Sequence, residues 1–155
     1  MVSMRILVAF YSRTGHTRKL GRRIAKELKA DTDEIHDLTD RSGILGWLAA
    51  GRDAWKHNPT EIRFRKNPEK YDLVIVGTPI WAATQAPATM VYLERHKIKR
   101  VAFFCTYGGS AGKCFEDMQK DSKKPAATLG LRDKEVESRE SLAKIKKFCR
   151  KLKKK

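Results

Sequence analysis

Three unbroken apolar runs punctuate the chain: Ile6-Leu7-Val8-Ala9-Phe10-Tyr11, Leu73-Val74-Ile75-Val76 and Val101-Ala102-Phe103-Phe104-Cys105. Alternation of polar and apolar residues survives only where one strand face meets water, so continuous runs predict strands covered on both faces. Two weaker segments read as edges. Glu34-Ile35-His36-Asp37-Leu38 alternates, and Ala127-Thr128-Leu129-Gly130-Leu131 is interrupted by glycine. Helical spacing fills the gaps: Leu20, Ile24 and Leu28 follow Thr17, and Leu142, Ile145, Cys149 and Leu152 form a stripe near the end of the chain. Pro87 suits a first helical turn begun near Thr84 or Gln85. The alternation predicts an α/β fold: a doubly wound five-stranded parallel sheet of strand order 2-1-3-4-5, joined by right-handed crossovers, with helices on both faces.

Each central run is followed by a special stretch: Ser12-Arg13-Thr14-Gly15-His16-Thr17, then Thr78-Pro79-Ile80-Trp81-Ala82, then Thr106-Tyr107-Gly108-Gly109-Ser110-Ala111-Gly112. Parallel α/β sheets bind ligands in the crevice at the carboxyl ends of their strands, so these loops are predicted to meet in one pocket. A helix starting near Gly15 to Thr17 offers unbonded backbone N–H groups and a positive dipole end, to which Ser12, Thr14 and Thr17 add hydroxyls. The same hydroxyls would serve equally as plain helix caps; their place after the first central strand favours a phosphate. Trp81 offers a flat indole for a ring, with packing beneath the loop as its rival role. The third loop is supple enough to approach a ring closely. Together they point to a phosphorylated aromatic cofactor, FMN foremost.

Other loop chemistries fail on their letters. The first turn holds one glycine where a dinucleotide fingerprint needs three, leaving Asp37 as weak support for a ribose. Gly112-Lys113 is a near miss to a phosphate-binding Walker loop, because Tyr107 and Cys114 occupy the positions of its first glycine and its hydroxyl residue. No arginine stands six residues after Cys105 or Cys114, where a cysteine phosphatase would need it. His36, His57 and His96 lack metal-ligand spacing, and three cysteines without a C-x-x-C pair speak for reduced thiols and against a zinc site.

On these residues the chain resembles the flavodoxin family. Ser12-x-Thr14-Gly15-x-Thr17 is similar to its phosphate loop, Val76-Gly77-Thr78-Pro79-Ile80-Trp81 to its second flavin loop, and Phe104-Cys105-Thr106-Tyr107-Gly108-Gly109 to its third. The resemblance runs from about Met4 to Phe148 and includes Arg41-Ser42-Gly43-Ile44-Leu45-Gly46-Trp47, continuing helically to Trp55. It implies noncovalent FMN, electron transfer at the flavin, no catalytic side chain and no metal. His16 stands where the family commonly has asparagine, and Arg13 is an unusually basic neighbour.

Composition bounds the setting. At 155 residues and 41% apolar content the chain is expected to be one domain over residues 1–155, ending in a basic helix. The Ile6–Tyr11 run is too short for a signal h-region and no stretch reaches a membrane span, so a soluble cytoplasmic protein is expected. With 34 Lys and Arg against 18 Asp and Glu, the net charge is +16, and eight of the last twelve residues are basic. Such a surface can steer anionic partners, and a positive field at a flavin would ease its second reduction. No nucleic-acid module accompanies the charge, so specific nucleic-acid recognition is not expected. Three readings stand: an electron carrier for an acidic redox partner protein, an FMN-dependent NAD(P)H reductase acting on a quinone or similar small acceptor, and a non-redox binding scaffold. Trp47 and Trp55 could serve core packing, a lid or a homodimer contact.

Overall fold

The computed structural model describes residues 3–38 and 60–154. The three apolar runs form neighbouring parallel strands: β1 (Ile6–Tyr11), β4 (Leu73–Trp81) and β6 (Val101–Tyr107). Outside them lie β2 (Asp31–Asp37), parallel to β1, and β7 (Thr128–Arg132), parallel to β6. Two short strands complete the sheet: β3 (Ile62–Arg63) runs antiparallel to β2, and β5 (Thr84–Gln85) runs antiparallel to β4.

The expected five-stranded 2-1-3-4-5 sheet is thereby corrected. It has seven strands in the order β3-β2-β1-β4-β6-β7, with β5 on β4, and is mostly parallel. A two-residue strand carries no periodicity, which is why β3 and β5 leave no mark on the hydrophobic pattern. β2 also begins at Asp31, three residues before the expected start. Its first residues are polar and exposed, and the Asp33 carboxylate is buried because the amides of Arg65 and Lys66 bond to it.

Helices α1 (His16–Leu28) and α4 (Arg139–Lys153) cover one face of the sheet, while α2 (Pro87–Arg95) and α3 (Cys114–Asp121) cover the other. Val8, Phe10, Ile75 and Phe104 meet Leu20, Ile24, Ile145 and Phe148 on the first face. Leu7, Ala9, Val76 and Phe103 meet Tyr92, Leu93, Cys114 and Met118 on the second. Both faces of the central strands are buried, as period-free apolar runs require. In α4 the stripe differs from expectation in one residue: Leu142 is 39% exposed and Phe148 fills the core instead. α2 starts at Pro87 with Ala86 as its cap, so Thr84 and Gln85 serve a strand and not a helix start.

Candidate functional site

The carboxyl ends of β1, β4 and β6 lie side by side, and the three stretches leave from them. Gly15 caps α1 at φ 101°, a conformation that costs other residues about 1–2 kcal/mol and glycine little. The Ser12 hydroxyl oxygen accepts the Gly15 amide at 3.1 Å and the Arg18 amide at 3.2 Å, which folds the loop back on itself. Among the described residues, the His16 and Thr17 amides have no hydrogen-bond acceptor, the state expected of donors in a first helical turn. Thr14 is exposed, while Arg13 is half-buried and engaged by other groups.

Thr17 is buried, and its hydroxyl lies 2.7 Å from that of Thr106 at the end of β6. One hydroxyl donates to the other, which leaves a single hydroxyl hydrogen of the pair free to donate again. This bond ties the first loop to the third across the end of β4.

Arg18, a residue the pattern did not single out, adds a cation. Its Nε and Nη2 donate to the Glu34 carboxylate at 2.7 and 2.8 Å, and its Nη1 lies 3.7 Å from where a Cβ on Gly15 would stand. The hydrogen bonds from Arg18 hold the Glu34 carboxyl below its usual range, and those to Glu34 hold the guanidinium charged. Only the placement of β2 beside β1 could reveal this pair.

The second stretch is a hairpin rather than an open loop. β4 runs to Trp81, turns through Ala82 and Ala83, and returns as β5, pairing Trp81 with Thr84. A two-residue hairpin of this hand needs positive φ at both central positions, which favours Asn-Gly; here two alanines sit at φ 51° and 66°. Thr78 is fully buried, accepts the Ala86 amide at 3.0 Å and donates to the Pro79 carbonyl, so its hydroxyl closes the hairpin from within. Pro79 and Ile80 are half-buried. Trp81 is 8% exposed and meets the Tyr11 ring edge-on, with centroids 5.5 Å apart. Its indole therefore packs between the first two stretches.

Beyond Tyr107 the third stretch opens. A Cβ built on Gly108 or Gly109 would find nothing within 4 Å, so this side of the crevice has room for a flat group. Gly112, at φ 54°, lies so close to the hairpin that its Cβ would stand 2.4 Å from the Ala83 carbonyl oxygen. The Lys113 amide donates to that oxygen at 2.8 Å. Between them opens a cavity of about 350 Å³ bordered by Thr84, Lys113, Asp117 and Lys120, where Thr84 donates to the buried Asp117 carboxylate. Tyr107 is half-buried and lies over β7, its ring 3.3 Å from a Cβ built on Gly130. Cys105 and Cys114 are buried free thiols, and Cys114 Sγ lies 3.6 Å from Met118 Sδ; the influence of the neighbouring Cys105 thiol and burial push the Cys114 thiol well up, so it stays protonated. Among the described residues no His, Cys, Asp and Glu cluster could hold a metal.

The structure thus brings Ser12, Gly15, His16 and Thr17 together with Thr106, Gly108 and Gly109 at one edge, and turns Thr78 inward. Trp47, Trp55 and His57, with the segment from Arg41, lie outside the described residues. No described helix is long and apolar enough to cross a membrane.

The family model described as Flavodoxin matches residues 5–151. Among solved structures, a flavoprotein from Lactobacillus acidophilus NCFM, crystallised in complex with FMN, is 24% identical over 86% of this chain and 97% of its own, with a TM-score of 0.70. A candidate flavoprotein from Bacteroides uniformis ATCC 8492 is 19% identical over 96% of this chain and 99% of its own, with a TM-score of 0.80. Oxidised Flavodoxin 2 from Bacillus cereus is 19% identical over 96% of this chain and 97% of its own, with a TM-score of 0.61. No curated protein matches the sequence. At these identities the solved structures establish a likeness of fold.

Proposed function

Since the chain belongs to the flavodoxin family, we propose that it is an FMN-binding redox protein whose crevice at the ends of β1, β4 and β6 holds the flavin, and that it serves as an electron carrier. When bound, FMN supplies one- and two-electron transfer. The observation that carries the reading is the start of α1, where the amides of His16 and Thr17 stand unbonded beyond a left-handed glycine. That donor set fits a phosphate: two main-chain N–H groups, the positive end of a helix and a hydroxyl hydrogen from the Thr17 and Thr106 pair. Ser12 acts by shaping the loop through the Gly15 and Arg18 amides. Arg18, fixed by Glu34, adds positive potential beside Gly15.

The remaining residues position a ring. Ala82 and Ala83, held to the third loop through the Lys113 amide, form one wall. Tyr107 and the open Gly108-Gly109 turn form the other, and Trp81 is the floor on which the first two stretches rest. No side-chain nucleophile takes part. A redox partner protein, or a small acceptor such as a quinone, approaches over Gly108 and Gly109, where the wall is low.

FMN reconstitution followed by a visible spectrum tests the reading, with NADH, NADPH and a quinone then added in turn. A bound flavin that is reduced only through a partner reductase is the expected result. Rapid direct reduction by NAD(P)H with quinone turnover would replace the carrier by a reductase. A colourless protein indifferent to FMN would leave a binding scaffold.

A further inference from the structure

The net charge of +16 is distributed unevenly over the fold. Because the five long strands are parallel, every turn that enters one lies at the same end of the sheet, opposite the crevice. Arg5 leads into β1, Lys29 into β2, Lys97, Lys99 and Arg100 into β6, and Lys123 and Lys124 into β7. The end of α4 joins them: the Arg100 guanidinium donates to the carbonyls of Leu152 and Lys154 at 2.9 and 3.0 Å, placing Arg150, Lys151, Lys153 and Lys154 at this edge. The Lys123 ammonium in turn donates to the Lys99 carbonyl.

None of these eleven cations forms an ion pair among the described residues, and all but Arg100 are exposed. The described ion pairs lie towards the other end, joining Arg18 to Glu34, Lys19 to Glu137 and Lys144 to Glu135. Of the carboxylates at this end, Asp72 is engaged by the Arg5 amide and Asp31 by the Tyr71 hydroxyl, while Glu27, Glu69 and Glu94 are matched by three further cations beside them, Lys26, Lys70 and Arg95. A strand of six or seven residues spans about 20 Å, more than twice the Debye length of about 8 Å at physiological salt. The charge of this edge is therefore largely screened from the crevice, where Arg18, Lys113 and Lys120 are the nearby cations.

Uncompensated like charges held together by a fold repel and lower its stability, so this end is poised for an anion. We propose that the amino-terminal edge of the sheet docks the protein on an anionic phospholipid bilayer, with the crevice facing away. Three features favour a lipid surface over another polyanion. The cations come from five separate chain segments across the whole width of the sheet, so a plane engages all of them and a single backbone only a row. Eight of the eleven are lysines, compact point charges suited to mobile headgroups, where arginine forks would suit fixed phosphates. The two large hydrophobics exposed among the described residues, Leu38 and Leu142, lie elsewhere, so this edge offers no platform on which a nucleic-acid base could stack.

Vesicle co-sedimentation of the full chain tests this, using phosphatidylcholine mixed with phosphatidylglycerol against pure phosphatidylcholine. The protein is expected on the mixed vesicles alone, and to leave them at about 1 M salt, where the Debye length falls to about 3 Å. The triple variant Lys151→Gln, Lys153→Gln, Lys154→Gln is expected to weaken partitioning by about fivefold per lysine, near a hundredfold in all. The triple Arg63→Gln, Lys134→Gln, Arg139→Gln, of equal charge change at the other end, is expected to retain most of it. Neither triple should lower the circular dichroism melting temperature or change FMN absorbance, which separates this result from any failure of the flavin reading. Absence from anionic vesicles, equal loss in the two triples, or displacement from vesicles by a DNA duplex at the same salt would each overturn the proposal.

Discussion

Thr17 and Thr106 provide the sharpest test of how the crevice is held together. Each hydroxyl is almost wholly removed from solvent and they share a 2.7 Å bond, the one described side-chain link between the first and third stretches. Thr17→Val removes the partner of a buried hydroxyl while keeping its shape, and an orphaned buried hydroxyl costs about 1–3 kcal/mol. Thr106→Val costs the apoprotein a similar amount. Removing both hydroxyls leaves nothing unsatisfied, so the double variant should be more stable than the sum of the singles predicts, by about 1–2 kcal/mol of coupling. Urea unfolding of the four apoproteins measures the cycle, and each kcal/mol should also move the melting temperature by about 2–4 °C at this size. FMN titration adds a second axis. If the free hydrogen is that of Thr17, which sits in the first turn of α1, Thr106→Val should bind FMN nearly as the parent does, whereas Thr17→Val should lose affinity as well as stability. Additive stabilities, or equal affinity loss in both singles, would refute the shared bond and the role given to Thr17.

Other variants probe the walls. Gly112→Ala should destabilise the protein by about 2–4 kcal/mol, through a left-handed alanine and a loosened Lys113 to Ala83 bond, and should weaken FMN binding; thermal melts with and without FMN check both. The pair Ala82→Asn, Ala83→Gly supplies the residues the hairpin prefers and should raise stability by about 1 kcal/mol, read by urea unfolding. Glu34→Gln tests the Arg18 pair. Because the folded Glu34 carboxyl titrates below its ordinary value, its stabilisation is present above the unfolded pKa and is lost as pH falls through the folded one. The variant should therefore be less stable by at most about 1 kcal/mol near neutral pH, since both side chains are partly solvated, and this deficit should vanish in acid.

The chain displays its central strands openly and its corners hardly at all. β1, β4 and β6 are legible because burial on both faces demands unbroken apolar runs, and α1 because Leu20, Ile24 and Leu28 repeat at helical spacing. The first stretch was legible as a candidate anion site because glycine and hydroxyls follow a strand directly. The start of β2 was hidden because Asp33 is buried by accepting amides from residues 65 and 66, a bond no local pattern encodes. The hairpin was hidden because Ala82 and Ala83 stand where a turn calls for Asn and Gly, held there by contacts with Gly112 and Lys113 from thirty residues on. Arg18 and the basic edge were invisible for a common reason: the partner of one and the isolation of the other depend on strand order, which places distant charges together or apart.

Isothermal titration of the apoprotein with FMN, and separately with riboflavin, addresses the crevice most directly. FMN should bind one to one, and riboflavin much more weakly because it leaves the amides of His16 and Thr17 without an anion. Equal affinities would contradict the phosphate site at the start of α1, and no heat from FMN with a well-folded protein would contradict the flavin crevice itself.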